Sequence, residues 1–561
     1  MKGSDMEQEH EHYDWIVVGS GFGGSVSALR LAQKGYSVLV LEQGRRFRDQ
    51  DFAKSNWNLR RWLWLPWLGC RGILRMTFFR HMTVLSGVGV GGGSLVYANT
   101  LPTPGDSFFD SASWSSLADW KRELAPHYAT ALKMLGATSV PFSTPADEAL
   151  GAVAKDLDLE DQHHPARVSV WFGEEGVTVP DPYFDGEGPE RTGCIRCGAC
   201  MVGCRHGAKN SLTFNYLYMA EKLGVRVDAD TRVTAVHQPQ EGGGITVEAR
   251  TRRPFGLPRR RKIQADRVVL AGGVLGTLPL LLSMGKNKGG LPRLSQHLGH
   301  SVRTNCESLT GVQTLDTSVD HSKGVAIGSI LHLDGGTHLE TVRYPSGSGF
   351  FRLMLGPMGL GKNMLTRGAD MLRRLLRSPV RWFRIYTVAD WARSTVILLY
   401  MKSHAETLTL KLGRLGGLRS MSNDGPGPTA DMPEADDLGR RMGEKLDGEV
   451  GTLFTQSLLG KPTTAHILGG CAMGATAQDG VIDSSHRLFG HPEIMVVDGS
   501  AISANPGVNP SLTITALAER AMEQVPPAGS VSSVPPVGSV SSVTPVGSVS
   551  SVTPVGSVSS V

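Results

Sequence analysis

The sequence has little of several features that define protein classes. Its 561 residues include only 7 cysteines, which excludes a disulfide-rich scaffold. Lysine and arginine number 57 against 52 aspartates and glutamates, a surplus of 57 − 52 = 5 that is too small for a dedicated nucleic-acid-binding protein. No apolar run is long enough to span a membrane, and no basic start leads into an apolar secretion signal. The sequence therefore predicts a cytoplasmic protein.

A repetitive segment follows the last apolar helix pattern. Residues 525–561 consist of nine-residue repeats such as VTPVGSVSS, which carry no charge and no aromatic side chain and contain a proline in every unit. Such a segment cannot bury enough side-chain surface to offset the entropy of ordering it. We therefore predict a disordered tail, with a short β-solenoid as the alternative.

Glycine is abundant, with 69 residues and no Gly-X-Y period, and its first cluster has a specific context. GSGFGG places G-x-G-x-x-G at Gly19, Gly21 and Gly24, between a predicted strand at 13–18 and a predicted helix at 24–34. The first glycine permits a tight turn, the second lets the backbone approach a pyrophosphate, and the third lets helix and strand pack closely. Glu42 ends the next predicted strand, where a carboxylate can accept hydrogen bonds from an adenosine ribose. The pattern predicts a dinucleotide site in a Rossmann-like α/β domain.

Further glycine-rich segments favour FAD over NAD. GVGVGGGS at 87–94 and the paired glycines at 272–273 would bring backbone against an extended dinucleotide with a ring system a second time. A helix beginning near Ser511 could stabilise the negative charge of a reduced flavin. The predicted FAD contacts are Gly19, Gly21, Phe22, Gly23, Gly24, Glu42, Gly87, Gly91, Gly92, Gly93, Ser94, Asn99, Val233, Gly272, Gly273, Asp498, Gly499, Asn509 and Pro510.

These segments, in this order, resemble the GMC (glucose–methanol–choline) oxidoreductases, and within that family the mycobacterial-type branch of bacterial cholesterol oxidases. TGCIRCGACMVGCRHGAKNSL, TAHILGGCAMG and VVDGSAISANPGVNPSLTITALAERA carry the resemblance together with the glycine clusters. It implies an FAD-binding domain of three segments, 13–105, 190–305 and 465–524. A substrate-binding domain with an antiparallel or mixed sheet and helices would be inserted as 106–189 and 306–464.

The resemblance also implies an active-site pair, His466 in H-x-L-G-G and Asn509 in G-V-N-P. An imidazole can accept or orient the hydroxyl proton of an alcohol, and an amide beside it can fix the alcohol oxygen or contact the flavin. Many family members have an asparagine after G-G-G-S-L-V, where this sequence has Val96 and Tyr97, with Asn99 two residues later.

Glu340, in THLET, matches the carboxylate that moves a proton during Δ5 to Δ4 isomerisation in cholesterol oxidases. The resemblance therefore implies a catalytic role for Glu340. The alternative is an ordinary strand residue in a salt bridge with Arg343.

Four cysteines have the spacing C-x2-C-x2-C-x3-C, at Cys194, Cys197, Cys200 and Cys204. Bacterial ferredoxins bind iron–sulfur clusters with this spacing, although the proline that follows the last cysteine there is absent here. An iron–sulfur cluster, a structural zinc ion and unmetallated thiols remain as alternatives. A cluster would give a reduced flavin a one-electron exit and favour a dehydrogenase over an oxidase.

Tryptophan and arginine are interleaved at 57–71 and 367–393. Either stretch could form an entrance that rests on a membrane surface, or a buried helix face with solvated arginines.

From the resemblance we expect FAD-dependent oxidation of a bulky hydrophobic alcohol, with a 3β-hydroxysterol as first candidate, and with O2 or another electron acceptor. The alternatives are dehydrogenation of another alcohol through the cysteine cluster and a non-redox GMC-type lyase. No nucleic-acid partner is expected.

Overall fold

The computed structural model describes residues 11–238, 244–253, 256–287, 289–414, 416–423 and 427–530. The first ten residues, on which the predicted lack of a secretion signal rests, and residues 531–561 of the predicted tail lie outside these ranges. The start of that tail is packed: the amide of Ala528 donates to the carbonyl of Lys34 at 2.8 Å, and the Tyr36 hydroxyl donates to Pro526 at 2.9 Å. The packed chain therefore extends past Gln524.

The first sheet has a parallel half that ends where the glycine clusters begin. Its parallel strands run in the spatial order Arg226–Asp228, Val38–Leu41, His12–Val18, Arg259–Leu270 and His491–Val496. The first half of Arg259–Leu270 pairs antiparallel with Ile245–Thr251, which pairs in turn with Thr231–His237, and Arg487–Leu488 pairs with His491–Val496. Because parallel strands share one carboxyl edge, the loops that begin at 19, 42, 271 and 497 meet there.

Helices cover this sheet and complete the larger core. They are Phe22–Gln33, Trp120–Met134, Tyr216–Lys222, Val274–Met284 and Ser511–Glu523. Phe22–Gln33 lies between Tyr216–Lys222 and Ser511–Glu523, which also contacts Trp120–Met134. The strands of this sheet fall in the segments predicted for the FAD-binding domain. Trp120–Met134 comes from the segment predicted for the other domain, but its Trp120, Leu124 and Tyr128 belong to the core of this one.

The second sheet is antiparallel throughout. Its seven strands run in the order Leu355–Pro357, Gly448–Leu453, Ser308–Thr314, Thr395–Lys402, Thr337–Val342, Ile327–Asp334 and His163–Pro165. All come from the segments predicted for the substrate-binding domain. The helices Pro145–Asp156 and Pro433–Lys445 pack on one face, against residues that include Leu339, Val396 and Leu398. Side chains alternate along a strand, so Glu340, Ile397 and Leu399 belong to the other face.

Smaller elements connect the two sheets. A three-stranded sheet of Thr463–Thr464, Thr83–Gly87 and Leu74–Phe78 positions the segment before His466. The remaining paired strands are Trp64–Leu65 with Cys70–Arg71, Thr138–Ser139 with Arg167–Val168, Thr178–Val179 with Arg191–Thr192, and Leu408–Leu412 with Leu418–Ser422. Short helices are Leu59–Trp62, Asp106–Phe109 and Phe454–Ser457.

Two consecutive helices, Met364–Arg377 and Pro379–Thr387, are named here the helix pair. They join the second sheet at its edge strand, where the Tyr386 hydroxyl donates to the carbonyl of Leu355 at 2.6 Å. None of the described helices combines the length and apolar character needed to cross a bilayer.

Candidate active site

The glycines of the first glycine loop differ in their surroundings: some are tightly packed and one faces open space. Gly19 has φ +101°, and a Cβ there would lie 2.4 Å from the carbonyl oxygen of Ala271. At Gly23 a Cβ would lie 1.6 Å from the carbonyl oxygen of Val497, and at Gly24 2.1 Å from that of Gly19. A Cβ at Gly21 would meet no described protein atom within 4 Å. Gly23 and Gly24 therefore allow close packing, while Gly21 leaves room for a ligand.

Glu42 orders the two glycine loops from the end of its strand. Its Oε2 accepts from the amide of Ser20 at 3.1 Å and from the Ser20 hydroxyl at 2.9 Å, and its Oε1 accepts from the amide of Gly44 at 2.8 Å. The Ser20 hydroxyl in turn accepts from the amide of Gly91 at 3.1 Å. Burial raises the pKa of Glu42, although these hydrogen bonds act in the opposite direction. Its contact with a ribose stays a prediction.

Asp498 links the loop that begins at 271 to the loop that begins at 497. Its Oδ2 accepts from the amide of Gly273 at 2.8 Å and the Thr277 hydroxyl at 2.6 Å. Its Oδ1 accepts from the amide and hydroxyl of Ser500 at 2.8 and 2.5 Å. The carboxylate thus holds two loops of the carboxyl edge in register beside the helix that begins at Ser511.

These loops border one elongated cavity of about 1570 Å³. The predicted FAD contacts that line it are Gly19, Gly21, Phe22, Gly23, Glu42, Gly87, Gly92, Gly93, Val233, Gly272, Gly273, Asp498, Gly499, Asn509 and Pro510. Four others, Gly24, Gly91, Ser94 and Asn99, are not among its lining residues. Ser94 instead donates to the carbonyl of Gly91 at 2.7 Å, and Gly24 packs against Gly19.

The cavity suits FAD. Its length runs from the glycine loops to the antiparallel sheet, and the open position at Gly21 lets backbone approach a pyrophosphate. Asn99 is buried with φ +73°, and both amide atoms of its side chain lack a hydrogen-bond partner among the described residues. Buried amides are rarely left unsatisfied, and Ala98 and Thr100 on either side of Asn99 line the cavity. When bound, FAD supplies a hydride acceptor at this site.

His466 lines the cavity and is held by a buried carboxylate. Its Nδ1 lies 2.6 Å from Oε1 of Glu307, whose side chain is fully buried. Glu307 also accepts from the Thr464 hydroxyl at 3.1 Å and the amide of Ala465 at 2.7 Å. With Nδ1 as the donor to Glu307, Nε2 is the nitrogen left to accept a proton. Burial lowers the pKa of His466, but the charge and hydrogen bond of Glu307, with the charge of Glu340, leave it above its ordinary 6.5.

Asn509 and Glu340 meet beside His466. Nδ2 of Asn509 donates to Oε2 of Glu340 at 3.3 Å. Glu340 lies on Thr337–Val342 and is fully buried, with Nε2 of His338 3.3 Å from its Oε1. The alternative of a salt bridge to Arg343 is wrong, since Arg343 pairs with Asp147 at 3.5 Å. The three residues implied by the resemblance are thus gathered, and no lysine or arginine among the described residues forms a salt bridge with Glu340.

An apolar chamber forms the part of the cavity under the antiparallel sheet. Its walls are aliphatic and aromatic, comprising Leu309, Ile327, Val342, Tyr344, Phe351, Leu355, Trp391, Ile397, Leu399 and Leu453. Val96 and Tyr97, which replace the asparagine of many family members, also line the cavity. Such walls exclude water around a substrate and favour an apolar one.

The site can remove a proton from an alcohol and hold the oxygen that loses it. His466 provides the acceptor at Nε2, and Glu307 stabilises the imidazolium that forms. Asn509 provides an amide that does not titrate: its Nδ2 gives one hydrogen to Glu340 and keeps a second that can donate to the alcohol oxygen. Sequence reasoning did not identify Glu307 or His338. Glu307 precedes an apolar strand without a motif of its own, and only the fold brings it to His466.

The four motif cysteines lie together on one loop. All four line a small cavity with Lys209, separate from the elongated one. Burial raises the pKa of Cys194 to about 12 and that of Cys200 to about 11, with smaller contributions from the neighbouring thiols. As free thiols these two would be protonated and unreactive at neutral pH.

Comparisons with known proteins agree with this architecture. The family model "FAD dependent oxidoreductase" matches residues 14–356, and "GMC oxidoreductase" matches residues 427–518. A cholesterol oxidase of Acinetobacter baumannii is 43% identical over 528 residues, covering 92% of this chain and 94% of its own. A cholesterol oxidase of Mycobacterium tuberculosis is 45% identical over 538 residues, covering 92% of each chain.

A more distant relative, the long-chain-alcohol oxidase FAO4B of Arabidopsis thaliana, is 24% identical over 542 residues, covering 90% of this chain and 66% of its own. Among solved structures, pyridoxine 4-oxidase from "Mesorbium loti" is similar with a TM-score of 0.59 at 14% identity. That similarity covers 91% of this chain and 98% of the other, and it shows the fold alone.

The fold, the cavity and the family matches define an FAD-dependent oxidoreductase that acts on alcohols. The chain belongs to the GMC oxidoreductase family. The predicted α/β fold, the cofactor FAD and the family resemblance are thereby confirmed. The individual site residues and the two-domain division stay predictions.

Proposed function

We propose that this enzyme oxidises the 3β-hydroxyl of a sterol to the ketone. One observation carries the proposal: the polar side chains of His466 and Asn509 line the same cavity as a chamber walled mainly by aliphatic and aromatic side chains. A rigid, bulky and almost wholly apolar molecule with a single hydroxyl matches that distribution. The relatives at 43% and 45% identity bear the name cholesterol oxidase, which supports the same substrate class.

In this reaction His466 takes the hydroxyl proton at Nε2 while the hydride of the same carbon leaves for the flavin. Asn509 orients the oxygen, and the chamber keeps water from the reacting carbon. Either O2, in line with the word oxidase in the names of those relatives, or another electron acceptor reoxidises the flavin.

Glu340 supports a second step on the same substrate, the Δ5 to Δ4 isomerisation. Its buried carboxylate contacts Asn509, which lines the cavity, as do Val342 and Leu399 on the same face of the sheet, although Glu340 itself is not among the lining residues. A carboxylate in that place can take a proton from one carbon of the enone precursor and return it to another, so that no net proton is consumed. His338 beside it is a polar neighbour of the carboxyl group in both its protonated and its deprotonated form.

The helix pair supports the proposal that the enzyme takes its substrate from the surface of an anionic membrane. It exposes apolar side chains beside arginines: Leu365 is 83% exposed, Leu376 68% and Phe383 69%. Arg373 and Arg377 on Met364–Arg377 and Arg384 on the next helix are also exposed. Apolar groups inserted among lipids with arginines at the headgroups are typical of an interfacial helix. Leu355, which accepts the hydrogen bond of Tyr386, also lines the chamber, so the helix pair lies next to it.

Anaerobic addition of substrate tests the proposed reaction. A 3β-hydroxysterol should bleach the flavin absorbance stoichiometrically, and the 3-ketone should form. Choline, glucose and the 3α-epimer of the same sterol serve as controls that should leave the flavin oxidised. Bleaching by a small polar alcohol, but not by the sterol, would contradict the proposal.

A further inference from the structure

The loop 194–204 is wound so that its cysteines converge. Arg196 has φ +54°, Gly198 φ +69° and Gly203 φ +98°, and these left-handed positions alternate with the cysteines. A Cβ at Gly198 would lie 2.2 Å from the carbonyl oxygen of Ser322, and one at Gly203 would lie 2.1 Å from the Phe52 ring. The loop is therefore tightly packed in this path, and all four thiols line one small cavity.

The spacing of the sulfur atoms distinguishes between metal centres. Four Zn–S bonds of about 2.3 Å place the sulfurs of a zinc tetrahedron about 3.8 Å apart. Within the described residues, no three of the four sulfur atoms lie within 4.8 Å of one another. The sulfur atoms are therefore spaced more widely than the ligands of a single zinc ion.

The surroundings compensate the charge of bound thiolates. Lys209 is buried, and its Nζ donates to the carbonyls of Cys200 at 2.8 Å, Tyr97 at 3.0 Å and Leu95 at 3.1 Å. Lys209 also lines the cysteine cavity. A buried ammonium without a carboxylate partner is costly unless an anionic group lies near it, and a thiolate-bound cluster is such a group.

The same loop forms part of the flavin cavity wall. Met201, between the third and fourth cysteines, lines the elongated cavity, as do Val96 and Tyr97. Lys209 joins the two cavities through its bonds to Cys200 and Tyr97. The cysteine loop therefore contributes to the wall of the flavin cavity, and Lys209 bonds to both sides of that wall.

We propose that Cys194, Cys197, Cys200 and Cys204 bind an iron–sulfur cluster that accepts electrons from the reduced flavin. The binding follows from the loop alone, whereas the electron-transfer role rests on the proposed function. Oxidation of the alcohol delivers two electrons to the flavin as a hydride, while the hydroxyl proton goes to His466. The cluster takes the two electrons one at a time and passes each to a one-electron acceptor, and the flavin proton is released to solvent.

Metal analysis of the whole flavoprotein tests the binding. The protein is purified without oxygen, incubated with ferrous iron and sulfide, desalted, and assayed for iron, sulfide, zinc and FAD. We expect about two to four irons per FAD with equal sulfide, the range for clusters held by four cysteines, and an electron paramagnetic resonance signal after one-electron reduction or oxidation. Cys200→Ser and Cys204→Ala should lose most of the iron and sulfide and keep FAD. Cys70→Ser, outside the loop, is the matched control and should keep both.

Three results would overturn the proposal: wild type that holds FAD but takes up no sulfide-matched iron, a single zinc ion in its place, or loop variants that retain iron at the wild-type level.

Ferricyanide reduction by sterol then tests the electron-transfer role of the cluster, since it should fall at least tenfold in the loop variants while anaerobic flavin bleaching persists. Failure of the sterol to bleach wild-type flavin would refute the proposed function and leave the iron result intact.

Discussion

Nδ1 of His466 and Oε1 of Glu307 lie 2.6 Å apart, although 159 residues separate them in the chain. The carboxylate fixes the ring orientation and leaves Nε2 directed to other partners. It also favours the protonated ring, because the pKa of His466 stays above its ordinary 6.5 despite burial. Glu307 thereby makes His466 a stronger base at the cost of protonating it at a higher pH.

The first prediction concerns the pH dependence of kcat/KM. A base must be unprotonated to act, so the rate should rise with pH through the pKa of His466, above about 6.5. Glu307→Gln keeps a hydrogen-bond acceptor for Nδ1 but removes the charge that raises the pKa, while the lowering effect of burial remains. The rise of kcat/KM with pH should therefore occur at lower pH in this variant. Glu406→Gln, at a carboxylate that pairs with His404 and is not bonded to His466, serves as control. An unchanged pH–rate profile in Glu307→Gln would refute this role.

The second prediction concerns the proton transfer itself. His466→Ala should lower kcat by about 10²- to 10⁴-fold, the range for loss of a positioned general base. FAD absorbance should stay close to wild type, because the hydrogen bonds of His466 go to Glu307 and Thr464 and not to the glycine loops. Thermal stability should fall, since the buried Glu307 carboxylate loses a partner. Stopped-flow flavin reduction is the direct measurement. A variant that keeps FAD and reduces it within a few-fold of the wild-type rate would remove His466 from the mechanism.

The third prediction separates the two proposed steps. Glu340→Gln retains an oxygen that can accept from Nδ2 of Asn509, but it cannot carry a proton. With a Δ5-sterol, chromatography should show the unisomerised 5-en-3-one accumulating where wild type gives the 4-en-3-one. A saturated 3β-stanol, which needs no isomerisation, is the control substrate and should be oxidised by both enzymes. Normal yields of the 4-en-3-one would exclude Glu340 as the proton carrier.

The fourth prediction compares two glycines of one motif. Gly21→Ala places its Cβ in open space, so the apoprotein should melt near the wild-type temperature while FAD affinity falls, since the methyl group occupies the cradle. Gly23→Ala places its Cβ 1.6 Å from a backbone oxygen and should destabilise the fold by about 3 kcal/mol. Differential scanning calorimetry and FAD titration distinguish the two. Equal loss of stability in both variants would contradict this division of roles.

Local patterns predicted much of the fold and part of the site. The strand–glycine loop–helix unit, predicted as a strand at 13–18 and a helix at 24–34, is encoded by consecutive residues, and the structure has it as His12–Val18 and Phe22–Gln33. Glu307 and the salt-bridge partner of Arg343 were not predictable, because each contact joins segments far apart in the chain. Glu307 reaches His466 where Arg303 pairs with Leu468, and Asp147 reaches Arg343 because its helix packs on the second sheet. The resemblance placed His466, Asn509 and Glu340 in motifs, but only the sheet register sets Glu340 on the cavity face and Leu339 on the helix face.

The last prediction concerns the helix pair. If it rests on an anionic membrane, wild type should co-sediment with vesicles containing phosphatidylglycerol and less with pure phosphatidylcholine, because its arginines require anionic headgroups. Leu365→Glu with Phe383→Glu should abolish the binding, since both side chains are largely exposed and their loss costs no core packing. Leu223→Glu, at another exposed leucine, is the matched control. Turnover of sterol in vesicles should fall in the double variant while turnover of detergent-dispersed sterol persists. Unchanged binding in the double variant would show that the helix pair is not the membrane contact.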